Sequence, residues 1–171
     1  RLDQAAYDPV NLALASSLNC IDCFKRELKA VNRAIANQVK GFSDAQYLSL
    51  LSIPGIGPVY ASGILAEIGD ISQFRDEAAL AKYAGLTWRR RQSGHFEAED
   101  TFMTRTGNVF LRYYLCEAAN SVRHRLDDFA RYFKAKYDEV PAHQHKRALA
   151  LTARKLVRLV HGLMSSGRLY Q

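Results

Sequence analysis

Ile53-Pro54-Gly55-Ile56-Gly57-Pro58 is the stretch that decides the fold. Apolar residues at helical spacing precede it (Tyr47, Leu48, Leu50, Leu51), and a second apolar segment, Val59 to Ile68, follows it. Proline and glycine do not continue a helix. The reading is helix, tight turn, helix: a helix-hairpin-helix over residues 48–68. Small residues at Ala61, Ser62, Gly63 and Ala66 suit the second helix to close packing. The glycines free the backbone to expose its amides, and the second helix adds the positive end of its dipole. Together these hold a phosphate without reading a base, so Gly55 and Gly57 are candidate nucleic-acid contacts. A tight helical turn with no ligand is the competing account. A Gly57→Asp change is expected to bring both a backbone clash and a repelling charge.

Upstream, residues 9–40 read as one long helix, with Asp8 as N-cap and Pro9 in the first turn. Leu14, Leu18, Ile21, Phe24, Leu28, Val31, Ile35 and Val39 recur at steps of three and four, a near-heptad seam ended by Gly41. Residues 1–42 are therefore expected to form a coiled-coil-like arm that joins copies of the chain into a dimer or tetramer. The alternative is a helix packed on its own domain.

Downstream, Ser43 or Asp44 caps the helix before the turn, and Asp76 caps a helix over 77–83. Residues 86–107 show no periodicity and read as a long irregular loop of the kind that is often functional. Asn108 caps a helix running to about Leu126, with Phe110, Leu111, Tyr114, Leu115 and Ala118 on one face. Residues 129–137 are helical, and Pro141 opens a basic C-terminal helix over 141–165. No strand alternation is visible. The fold class is mostly α: a long N-terminal coiled-coil-like helix, then a compact helical domain over 43–171.

The chain has 171 residues and 48% apolar content, ordinary for a soluble globular protein. No apolar run reaches the roughly 18 residues of a membrane span, so no membrane partner is expected. The first residues, Arg1-Leu2-Asp3-Gln4, form no signal peptide and lack Met. They read as the start of a piece whose upstream part is missing. Up to Trp88 there are 8 Lys and Arg against 9 Asp and Glu; from Arg89 onward there are 16 against 8. A basic excess confined to one half points to a polyanion, with nucleic acid as the default. Cys20 and Cys23 have no second pair to complete a zinc site, so with Cys116 they read as reduced thiols.

The loop over 86–107 carries the candidate chemistry. Ser93 lies among Arg89, Arg90, Arg91 and Arg105, with Arg112 further on. Guanidinium groups stabilise an alkoxide and neutralise the charge of a pentacoordinate phosphate. No His and Asp stand at acyl-transfer spacing, and His95 is placed to relay a proton. The acidic Glu97, Glu99 and Asp100 read as a solvated turn. Tyr113 and Tyr114 are the rival nucleophiles, but their mid-helix position favours core packing. His143 and His145 point apart on a helix and suggest no metal. Arg147, Arg154, Lys155 and Arg158 form a stripe suited to tracking a phosphate backbone.

The order of these blocks resembles one family, the insertion-sequence transposases with an N-terminal DEDD (RuvC-like) domain, which act as RNA-guided DNA recombinases. The match is to their C-terminal transposase domain. It rests on the glycine turn, Ile68-Gly69-Asp70, Ala81 to Leu86, Arg91-Gln92-Ser93-Gly94, and Arg105 to Arg112. Gln92 and His95 stand where many members carry Ser and Gly, which leaves Ser93 the one candidate in its block. The resemblance implies that Ser93 attacks a DNA phosphodiester with Arg105 in support, leaving a phosphoserine-linked strand. It also implies Mg²⁺ in the upstream DEDD domain, no cofactor in this fragment, and a composite site between protomers. A structured guide RNA would select the DNA sites, in the prokaryotic cytoplasm at the nucleoid. The fragment alone is expected to bind nucleic acid without cutting it. The alternatives are a non-catalytic helix-hairpin-helix module, a tyrosine recombinase fragment, and a structural coiled-coil protein.

Overall fold

Periodicity, capping and turn chemistry account for most of the helices in the computed structural model. It describes residues 2–40, 44–88, 92–93, 96–97, 103–104 and 106–171. Seven helices are present among them: α1 (Leu2–Lys40), α2 (Asp44–Leu51), α3 (Pro58–Ile68), α4 (Glu77–Tyr83), α5 (Val109–Val122), α6 (Asp127–Asp138) and α7 (Gln144–Ser166). A 3₁₀ turn, Ile71–Gln73, links α3 to α4. Two short strands, β1 (Gln92–Ser93) and β2 (Phe96–Glu97), complete the described elements.

The chain divides into two units after Gln38. The first is helical from Leu2 onward. The helix begins at Leu2, so Pro9 lies inside it rather than in its first turn, and Asp8 is no N-cap. Proline's fixed φ is compatible with a helix although its missing N–H removes one bond. The heptad residues from Leu14 to Val31 are exposed, Phe24 by 69%.

The second unit is built around α7, which packs against α2, α4, α5 and α6, while α3 packs on α2 and α5. Ala153, Leu156, Val157 and Val160 form its fully buried stripe. They meet Leu50, Ile64, Leu80, Leu111, Leu115 and Val122 in one core. Burying a side chain of this size is worth about 1.5–3 kcal/mol. The last helix starts at Gln144 rather than Pro141, because His143 adopts a left-handed φ of 54° that no helix continues.

Helix α5 begins as expected, with Asn108 Oδ1 accepting from Leu111 N at 3.0 Å. It ends at Val122, where the Val122 carbonyl accepts from both Arg125 N and Leu126 N. Phe110 is 67% exposed and does not share the buried face. That face is set by Leu111, Leu115, Ala118 and Val122, and Phe110 lies a third of a turn away from Leu111.

The absence of strands from the sequence reading is corrected. Residues 86–107 contain an antiparallel excursion. Gln92 pairs with Glu97 and Ser93 with Phe96, and Trp88 bridges Met103. Thr104 N donates to the Thr87 carbonyl at 2.8 Å. Two-residue strands are too short to show a period-two pattern.

Candidate nucleic-acid interface

The turn between α2 and α3 is shaped by its two prolines and two glycines. Ile56 N donates to the Ile53 carbonyl at 2.9 Å. Pro54 and Gly55, with φ +101° at Gly55, fill the central positions, as a type II turn demands. Ile53 and Ile56 are buried and anchor the turn on both sides. A Cβ on Gly55 would stand 2.8 Å from Val122 Cα, so the turn lies directly against the backbone at the end of α5.

Gly57 behaves differently. It is the N-cap of α3, with φ −89° and ψ 177°, and a Cβ there would meet nothing within 4 Å. The clash expected of Gly57→Asp is thus corrected: the position is open, and only charge would act. Gly57 supplies no side-chain cap, and Pro58 has no N–H. The amides of Val59 and Tyr60 find no acceptor among the described residues. Val59 and Tyr60 line a cleft of about 740 Å³ formed by residues 54–60 together with Ser121 and Arg125. Arg125 is exposed and makes no ion pair among the described residues. Unpaired amides at a helix N-terminus and a guanidinium lining one cleft form a site suited to an anion.

Arg125 is the residue that sequence reasoning missed. The basic run Arg123-His124-Arg125 was a signal. Nothing in the sequence placed it opposite a turn more than sixty residues upstream.

The α7 stripe is only partly open. Arg147 Nη1 donates to Glu139 at 3.0 Å and to the Lys136 carbonyl at 3.1 Å. Lys155 Nζ donates to the Asp128 carbonyl at 3.0 Å and lies over the rings of Phe129 and Tyr132. Both therefore fasten α6 to α7. Hydrogen bonds from Lys136 and then Arg147 hold the Glu139 carboxyl below its ordinary range. Arg154 makes no ion pair among the described residues. Arg158 is 78% exposed and stands 3.6 Å from Glu77.

The serine block divides between what is described and what is not. Arg89, Arg90, Arg91 and Arg105, the Gly94-His95 step and Glu99-Asp100 lie outside the described residues, as do the side chains of Ser93 and Glu97. The backbone of Ser93 is described. Its pairing with Phe96 leaves two residues between the strands, the length of a tight β-hairpin turn.

The two arms leading to Ser93 share one register at their base. Tyr83 lies opposite Asn108, whose N donates to the Tyr83 carbonyl at 2.7 Å. Gly85 lies against Thr106: a Cβ on Gly85 would stand 2.6 Å from the Thr106 carbonyl oxygen. Thr87 faces Thr104, with their hydroxyls 3.0 Å apart. Trp88 and Met103 follow. The blocks from Ala81 to Leu86 and from Arg105 to Arg112 thus meet at the base of one stem. Arg112 Nη1 donates to the Ala84 carbonyl at 3.2 Å and sits over Gly85.

Among the other nucleophile candidates, the Tyr114 ring packs on Gly63, where a Cβ would stand 2.5 Å from Cζ. Tyr113 is exposed and meets Tyr114 edge to face. Burial pushes the Cys116 thiol up to about 11, which keeps it protonated at neutral pH. Cys20 and Cys23 are exposed free thiols. No group of His, Cys, Asp and Glu among the described residues is arranged to hold a metal ion, and no helix among them is long and apolar enough to cross a membrane.

A mostly helical body with an anion-suited cleft and a β-stem on its flank is the class that this architecture defines. Residues 47–135 match the model of the transposase IS116/IS110/IS902 family. The chain belongs to that family. It is 28% identical over 155 residues to the "Probable family 20 transposase" of Pseudomonas aeruginosa, covering 88% of this chain and 44% of that one. It is 30% identical over 152 residues to the "Transposase for insertion sequence element IS1111A" of Coxiella burnetii, covering 86% and 38%. The chain thus spans less than half the length of these relatives.

Proposed function

We propose that this chain is the part of an insertion-sequence transposase that grips nucleic-acid phosphate and presents Ser93 as the nucleophile toward DNA. The observation that carries the reading is the antiparallel stem. A serine in an irregular loop is solvated and aimless. The backbone of Ser93 instead pairs with that of Phe96, between two arms whose base is hydrogen-bonded from the start of α5 to the end of α4. A nucleophile held on paired backbone can be positioned, and positioning supplies a large share of catalysis.

The α2–turn–α3 segment acts as a helix-hairpin-helix. A phosphate enters the cleft, accepts from the Val59 and Tyr60 amides, and pairs with Arg125. Arg154 and Arg158 extend the contact along α7, and Arg89, Arg90, Arg91 and Arg105 surround the reacting phosphate. The Ser93 hydroxyl loses its proton as its oxygen bonds to phosphorus, the bridging P–O bond breaks, and one proton passes to the leaving deoxyribose oxygen. The strand remains as a phosphoserine diester. Mg²⁺ belongs in this reading to an upstream DEDD domain, a structured guide RNA chooses the sites, and no step above is routed through the metal. The exposed seam of α1 pairs with a second copy as a coiled coil.

The test uses the full-length protein with guide RNA, Mg²⁺ and nicked DNA that traps a covalent product. The native protein should yield an adduct and Ser93→Ala none, with DNA binding retained in both. Adduct formation by Ser93→Ala would refute the serine role and pass it to Tyr113 or Tyr114.

A further inference from the structure

We infer that Asn108 is a positioning residue that sets the stem, and through it Ser93, by bridging Glu67 of α3 and Tyr83 of α4. This rests on the reading of Ser93 as the nucleophile. As an N-cap alone, Asn108 could be replaced by Asp, Ser or Thr. Its amide does more. While Oδ1 caps Leu111 N, Nδ2 donates to Glu67 Oε2 at 2.7 Å and to Tyr83 Oη at 3.2 Å. Asp has no donor, and Ser or Thr has one. Only an amide of this length caps the helix and donates twice.

The bridge sits where the return arm of the stem becomes α5. Its backbone N holds the Tyr83 carbonyl, and its carbonyl accepts from Arg112 N at 3.2 Å. Gly107, at φ +129°, lets the chain pass so close to Tyr83 that any Cβ would collide with the Tyr83 carbonyl oxygen. Glu67 makes no ion pair among the described residues, and its charge-assisted bond to Asn108 ties α3 to the stem base. Three helices are thereby tied to one residue, at the first rung of the ladder that runs through Thr87–Thr104 to Trp88–Met103. Arg112 reinforces the same rung from α5 through the Ala84 carbonyl.

The test exchanges the polarity of the bridge in the full-length protein. Asn108→Asp keeps the cap, removes both donors and sets two carboxylates face to face. Glu67→Gln combined with Asn108→Asp restores the hydrogen bond with donor and acceptor reversed. Hydrogen exchange of peptides spanning residues 83–108 reads the stem, and the rate of adduct formation on nicked DNA reads the chemistry. Asn108→Asp should speed exchange at Thr104, leave α7 peptides and DNA affinity unchanged, and slow the adduct by about 100-fold. The double variant should recover both. Tyr83→Phe is the milder companion and should loosen the stem less.

Unchanged stem exchange in Asn108→Asp would overturn the inference. So would loosening that spreads equally through α5 and α7, or a double variant with no recovery. If the native protein gives no Ser93 adduct, the nucleophile reading fails by itself, while exchange and its rescue still decide the role of Asn108.

Discussion

The glycine turn at residues 54–58 and the glycine-bearing stem at residues 83–108 both bring backbone against backbone, but by different routes. The turn is local. Pro54, Gly55 and the Ile56-to-Ile53 hydrogen bond fix it within four residues, and only its seat on Val122 is tertiary. The stem is non-local. Gly85 and Gly107 stand far apart in sequence and meet because Tyr83, Thr87 and Trp88 find partners at Asn108, Thr104 and Met103. The first arrangement creates an anion-suited cleft, and the second brings the end of α4 against the start of α5. Glycines within one region are also unequal, since Gly55 is locked while Gly57 stands in open space.

The largest expected effect is at the stem. Gly107→Ala forces a Cβ into the Tyr83 carbonyl at a φ that L residues rarely adopt. It should cost at least about 1–3 kcal/mol in strain and abolish strand transfer, read by thermal melting and adduct yield. Gly55→Ala should cost about the same in stability through the Val122 contact. If both variants melted like the native protein, neither close approach would matter.

Gly57→Asp separates the two regions further. An aspartate at this N-cap accepts from the bare amides of α3, so it should stabilise folding by about 0.5–1 kcal/mol. The same carboxylate occupies the cleft and should weaken nucleic-acid binding. A variant that melts higher yet binds less would establish the cleft as an anion site; undiminished binding would remove it. Arg125→Ala should act more gently, lowering the salt slope of log K by about 0.7–0.9, one phosphate contact. Serine chemistry with saturating DNA should be untouched.

The smallest effect concerns the α6–α7 strap. Glu139 has a depressed folded-state pKa because of Lys136 and Arg147. Its contribution is therefore present above the ordinary glutamate range and lost as pH falls through the folded value. Acid titration of native protein and Glu139→Gln should differ above the ordinary glutamate range and converge as pH falls through the lower folded value.

Much of the helical frame was legible. Asp76 accepts from Ala79 N and Asn108 from Leu111 N, as their residue types suggested, and Gly69 ends α3. These are local signals. The stem was not legible, because two-residue strands carry no period and the base contacts, Tyr83 with Asn108 and Trp88 with Met103, join residues well apart in sequence. Phe110 was assigned to the core by hydrophobicity, though helical geometry turns it outward. Arg125 was invisible as a cleft residue because only the packing of Gly55 on Val122 brings the end of α5 to the turn. Arg112 read as a phosphate contact, and its bond to the Ala84 carbonyl emerges only from the fold.

The most direct test of the account is to map the DNA-linked peptide. Full-length protein is trapped on nicked DNA, digested with protease and nuclease, and the residue retaining the nucleotide is identified by fragmentation mass spectrometry. The account predicts a nucleotide on Ser93, in the peptide that carries the tip of the stem. A nucleotide on Tyr113 or Tyr114, or on any residue outside 86–107, would contradict it.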